Sequence, residues 1–125
     1  VFIALDTSGS VSNVEFDEFM GQVAHIYKSG TEVTLCHTDA SVAHVEKFDP
    51  KKPITRHGFG GTDFDPAIEY FNKHKNQYTS MVYFTDGECT LPKYKPHKSI
   101  LWVISSSGRS LSGLPGVQIK MQSTK

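Results

Sequence analysis

Asp6, Ser8 and Ser10 stand at alternate positions directly after the apolar run Val1–Leu5. In an extended segment alternate side chains point the same way, so one carboxylate and two hydroxyls converge. Gly9 lets the backbone turn there without a side-chain clash. Asp86 follows a second apolar run, Met81–Thr85, in Thr85-Asp86-Gly87. Gly60-Gly61-Thr62-Asp63 adds a flexible loop with a third hydroxyl, that of Thr62, just ahead of a helical pattern. Together these two carboxylates and three hydroxyls make an all-oxygen donor set. Hard oxygen ligands, some acting through water, suit Mg2+ or Mn2+ rather than Zn2+. The expectation is one such ion per chain, and no tightly held Zn2+. Without it, Asp6 and Asp86 repel each other, so binding should stabilise the fold.

The other chemistry-bearing side chains lack a ligand or catalytic order. Of the six histidines, His25 and His74 lie on helical patterns with no His at i+4, and there is no H-E-x-x-H. His37, His44, His57 and His97 fall in or near loops and a polar strand, and read as separate solvated or core residues. Cys89, three residues past Asp86, reads as a bystander thiol. Gly58-Phe59-Gly60-Gly61 lacks both the Lys-Ser/Thr ending of a P-loop and G-x-G-x-x-G spacing. Lys93, Tyr94, Lys95 and Lys98 make a small basic patch that reads as a solubilising loop.

Composition excludes several partners. Thirteen basic residues balance thirteen acidic ones, so no net field steers the chain to nucleic acid or an anionic membrane. No apolar run approaches the roughly 20 residues needed to span a bilayer. Two cysteines, Cys36 and Cys89, make neither a disulfide framework nor a zinc pattern, which points to a reducing, cytoplasmic setting. At 125 residues the chain suits one domain, 1–125. It has no initiator Met, and it reads as the C-terminal part of a longer protein whose N-terminal part is one expected partner.

The elements that must position the donor set alternate. Val1–Leu5 predicts a strand buried on both faces. Ser12-Asn13-Val14-Glu15 has the form of a capping box, and Phe16, Phe19, Met20, Val23 and Ile26 follow at helical spacing. The helix predicted is Asn13–Lys28, with Gly30 as its stop. Glu32–His37 and Ser41–Phe48 read as an antiparallel hairpin, the second strand alternating and edge-like. A loop, Asp49–Gly61, leads to a helix over Pro66–Lys75 with Asp65 as its N-cap. Met81–Thr85, Ser99–Ile104 and Val117–Lys120 complete six strands, joined by Pro- and Gly-bearing loops with no helix between them. This order predicts an α/β, mostly parallel sheet with one antiparallel edge strand and helices on its faces. Ligands in such sheets bind beyond the carboxyl ends of the strands, where Asp6 and Asp86 fall. With only two helices predicted, either the loops Gly87–Lys98 and Ser105–Gly116 fold down as short irregular covers or an apolar patch stays open near Trp102, and the N-terminal part or a second copy is expected to dock near this side.

Asp6-Thr7-Ser8-Gly9-Ser10, Thr62 and Asp86 appear in the order of the D-x-S-x-S, Thr and Asp of the von Willebrand factor A (VWA) domain. The chain resembles that Rossmann-like family and its metal-ion-dependent adhesion site over nearly its whole length. In particular it is similar to the VWA-like domain that follows a metallopeptidase-like domain in bacterial and phage proteins. The resemblance implies that Ser8 and Ser10 bind the metal directly, and Thr62 directly or through water. It implies that Asp6 and Asp86 act largely through water and hold the serines. It leaves one coordination position for the carboxylate of a protein partner. The function the resemblance implies is a non-enzymatic interaction module. Two alternatives compete with it: a Mg2+-dependent phosphohydrolase, and a scaffold with a vestigial metal site. The phosphohydrolase needs a second acid two residues after its first Asp, and Ser8 stands there.

Overall fold

Six strands form one sheet: β1 (Phe2–Asp6), β2 (Thr34–Thr38), β3 (Val42–Lys47), β4 (Met81–Thr85), β5 (Ile100–Ile104) and β6 (Val117–Lys120). They come from a computed structural model that describes residues 1–122. The order across the sheet is β3-β2-β1-β4-β5-β6. Every pair is parallel except β2–β3, which places the one antiparallel strand at an edge, as the alternation in that segment predicts. From β1 the chain runs outward through β2 and β3, then returns to β4 on the other side of β1. The loops leaving β1 and β4 therefore diverge from neighbouring strand ends, the place where an open α/β sheet has its crevice. That crevice receives Asp6 and Asp86.

Both faces of the sheet are apolar, and each takes one helix. Helix α1 (Asn13–Lys28) lays Phe16, Phe19 and Val23 over Ile3, Leu5, Leu35 and Phe84. Helix α2 (Asp65–Lys73) lays Ala67, Ile68 and Phe71 over Phe2, Ala4, Cys36 and Tyr83 on the other face. Burial lifts the Cys36 thiol to a pKa of about 12, so it sits in the core as a neutral, inert group.

Helix α1 begins at the predicted capping box. The Ser12 hydroxyl accepts the Glu15 N–H at 3.0 Å, and Glu15 Oε1 accepts the Ser12 N–H at 2.9 Å. The second Glu15 oxygen accepts the Ser105 hydroxyl, which ties α1 to the end of β5. Burial alone would raise the Glu15 pKa, but hydrogen bonds from Ser105, Ser12 and Ser107 outweigh it and hold the carboxyl below its ordinary 4.5. A depressed carboxyl stabilises the fold above its unfolded-state pKa, and that contribution is lost as pH falls through the lower native value. Glu15→Gln is expected to cost about 1–2 kcal/mol at neutral pH. In acid, below the native pKa, the difference from the native chain should close. Urea unfolding at both pH values checks this, and a gap that persists in acid would count against it.

Helix α2 departs from expectation at both ends. Asp65 is not its N-cap: the cap position is Phe64, which makes no side-chain cap, and Asp65 is the first helical residue. The Asp65 carboxylate instead accepts the N–H groups of Lys93 and Tyr94 at 2.8 and 2.9 Å, holding down the loop after β4. Asp63 serves the Asp65 N–H, at 3.0 Å. The helix ends at Lys73, and Lys75–Gln77 form a separate 3-10 turn.

Of the two outcomes open for the face around Trp102, the structure has the loops as its cover. No helix lies between β4 and β6 among the described residues, as expected, but the loops fold down over that face. Cys89, Leu111 and Leu114 pack against the α2-side core, and Trp102 is fully buried with its indole N–H donated to the Pro115 carbonyl at 2.8 Å. The thinly covered surface lies on the α1 face instead. There Ile26, Phe84, Leu101, Val103 and Ile119 line an open groove of about 450 Å³. A single helix is about 10 Å wide, too narrow to reach from β2 to β6.

Candidate metal centre

The first carboxylate is fully buried at the end of β1, where it accepts three hydrogen bonds. Asp6 Oδ1 accepts the Ser8 N–H at 3.0 Å and the Ser8 hydroxyl at 2.6 Å, and Oδ2 accepts the Thr85 hydroxyl at 2.6 Å. Thr85 Oγ1 accepts the Gly87 N–H at 3.1 Å, so one network spans the ends of β1 and β4. The Ser8 hydroxyl spends its proton on Asp6 and turns its lone pairs toward Ser10, whose Oγ lies 3.3 Å away. A hydroxyl held this way by a carboxylate is oriented to accept a cation. Ser8 is buried and Ser10 exposed, so the pair reaches from the crevice floor to solvent.

Asp86 is buried beside this network. Its Oδ1 accepts the Glu88 N–H at 3.0 Å, and its backbone carbonyl accepts the Arg109 N–H at 2.8 Å. Burial raises the Asp6 pKa; the Ser8 and Thr85 hydrogen bonds oppose this, and the negative charge of Asp86 adds to the rise. Among the described residues, no ion pair reaches either carboxylate. Two buried, mutually repelling acids with outward-facing hydroxyls fit a divalent cation, which offsets their charge and uses their oxygen atoms.

The loop before α2 is clamped onto this crevice by Arg56. Its Nη2 donates to the carbonyls of Thr7, Ser8 and Val11 at 3.3, 2.8 and 2.7 Å, and Nη1 donates to Asn13 Oδ1 at 3.2 Å. The guanidinium also lies 4.3 Å from the centroid of the Phe59 ring. The guanidinium thus hydrogen-bonds backbone oxygens and attracts Asp6 only at a distance, without forming an ion pair with it. Beside it, Phe59 N–H donates to the Thr7 carbonyl at 2.8 Å and Gly9 N–H to the Gly60 carbonyl at 3.0 Å. Gly58 is required here: its φ is +124°, and a Cβ would lie 2.2 Å from Thr7 Oγ1.

The structure links Asp6, Ser8 and Ser10 by hydrogen bonds, and brings Asp86 to Asp6 through Thr85 and charge. Thr62 is carried to the same side by the clamped loop, where its carbonyl accepts the Cys89 thiol at 3.6 Å. Its hydroxyl makes no hydrogen bond to the other four among the described residues. Sequence reasoning missed Thr85, although a hydroxyl beside a strand-end Asp was visible. It also missed Arg56, whose partners lie too far along the chain to be read. The histidines depart further from expectation. His37, His44 and His57 come together, with His57 stacked on His44 at a centroid distance of 4.1 Å.

No helix of the described residues is long and apolar enough to cross a membrane. The model of a family described as a VWA-like domain (DUF2201) matches residues 1–118. No curated protein and no solved structure matches the chain.

Proposed function

Because the chain belongs to the VWA-like domain family DUF2201, we propose that it is a metal-dependent protein-interaction module and not an enzyme. The observation that carries this reading is the Asp6 carboxylate, buried beside Asp86 with no cationic side chain paired to it and with the Ser8 hydroxyl locked on it. Ser8 and Ser10 would hold Mg2+ or Mn2+ directly, Thr62 directly or through water, and Asp6 and Asp86 largely through water. The bound ion supplies an electrophilic position for a carboxylate of a partner protein. The chain's own part is to orient the serines, keep two negative charges close, and expose Ser10 at the rim. Ser8 is spent on Asp6, which leaves no acid at the place a phosphohydrolase of this layout needs one. The free thiols Cys36 and Cys89 support a cytoplasmic setting.

Crystals grown with Mn2+ test the proposal by anomalous scattering. The expected result is one peak against the Ser8 and Ser10 hydroxyls, with a carboxylate from a neighbouring molecule or added ligand completing the coordination. A peak elsewhere only, or none, would overturn it.

A further inference from the structure

Against the sequence expectation of no tightly held Zn2+, we propose that His44, Glu46 and His57 form a second metal centre, selective for a transition ion such as Zn2+ and separate from the all-oxygen set. The antiparallel register of β2 and β3 puts His44 opposite His37, and Glu46, two residues on, shares the His44 face. His57 comes in from the clamped loop next to Arg56. One donor atom from each of His44, Glu46 and His57 lies within 4.8 Å of the others. Donors around a tetrahedral Zn2+ with bonds of about 2.0–2.1 Å sit about 3.3 Å apart. His44 Nε2 is already 3.4 Å from Glu46 Oε2. Closing the rest requires His57, stacked on His44 at a centroid distance of 4.1 Å, to turn on its irregular loop until both ring planes meet at the ion.

His37 supplies the support such a site needs. It is fully buried, and its Nδ1 accepts the His57 backbone N–H at 3.4 Å. Its remaining nitrogen, Nε2, lies 2.9 Å from Glu46 Oε2 and therefore carries the proton donated to that carboxylate. One buried imidazole thus fixes the carboxylate of one ligand and the backbone of another, the arrangement that orients metal-binding side chains from behind. No Lys or Arg pairs with Glu46 among the described residues; its partners are imidazoles. Two nitrogens and one oxygen favour a borderline ion over Mg2+, which prefers oxygen throughout. Three protein ligands leave a fourth position for water.

The test uses the native chain in millimolar Mg2+, titrated with Zn2+ against a chromophoric competitor and separately with Co2+. One Zn2+ per chain is expected, with shifts of the His44 and His57 ring signals by NMR and the visible absorption of low-coordinate Co2+. His44→Gln and His57→Gln should each weaken Zn2+ binding by about 100-fold, at the upper end of the cost of losing a supporting residue. Asp6→Ala should leave it unchanged, which separates this centre from the oxygen site. Circular dichroism reports whether each variant folds. Should a histidine variant not fold, Glu46→Gln on the edge strand and the ring signals of the native chain decide the matter. Zn2+ binding that is absent from the native chain, survives the ligand variants, or moves other histidines instead would overturn the proposal.

Discussion

Asp6→Ala is expected to abolish any response of the fold to Mg2+. In the native chain, an ion that binds only the folded state stabilises it by about 2.7 kcal/mol at 100 times its dissociation constant. For a domain of this size that is a rise in melting temperature of about 10 °C. The size of the effect follows from the electrostatics at the end of β1. Asp6 is buried and repelled by Asp86, so the folded chain without metal carries charge that water no longer solvates. Removing the Asp6 charge ends both the repulsion and the attraction for a cation. Asp6→Asn is the milder companion, keeping an oxygen to accept the Ser8 hydroxyl. Both variants should melt at one temperature with Mg2+ or with chelator, while the native chain moves between two. A native melting temperature indifferent to millimolar Mg2+ and to chelator would sink the idea.

The second large effect is expected at Gly87, the residue after Asp86. Its φ is +79°, and a Cβ built there would lie 1.8 Å from the Arg109 carbonyl oxygen. That oxygen is backbone and cannot swing aside as a side chain could. Its residue is also tied to Asp86 through the Arg109 N–H. Gly87→Ala combines left-handed strain of about 1–2 kcal/mol with overpacking of about 1–3 kcal/mol, so a loss of about 2–5 kcal/mol is expected. Gly30 supplies the control. Its φ of +93° is similarly positive, but nothing lies within 4 Å of its Cβ position. Gly30→Ala should cost about 1–2 kcal/mol, the strain alone. Urea midpoints of the two variants measure the difference, and equal costs would show that the close approach to Arg109 is not what Gly87 serves.

Local patterns in the sequence account for most of the fold. Asn13–Lys28, Met81–Thr85 and Val117–Lys120 are the predicted segments without change, and the other strands shift by one or two residues at their ends. Each is defined by apolar spacing or by a cap within its own few residues. Whether loops close the Trp102 face is not legible, because Leu111 and Leu114 sit in irregular loops whose packing depends on distant contacts. At the site, Asp6 and Ser8 were readable because they are two residues apart on extended backbone. Arg56 was not, since its bonds reach back more than forty residues to the loop after β1 and the first residue of α1. The histidine cluster escaped for another reason. Paired histidine ligands on a helix stand at i, i+4, whereas His44 and Glu46 alternate on a strand and His37 joins them only through the hairpin register.

The sheet order also governs how the chain can reach this state. Residues of β2 and β3 that pair lie at most 13 positions apart, as in Thr34↔Lys47. The central strand has no such neighbour: Phe2 must find Thr34 on one side and Met81 on the other. Closing so large a loop costs entropy before any contact rewards it, which places folding on the slow side for a domain of this length. The hairpin is the one pairing that can form in microseconds on its own. Until β4 arrives, β1 remains an apolar ribbon with one free edge, and that interval is when the chain is most open to association with its own copies.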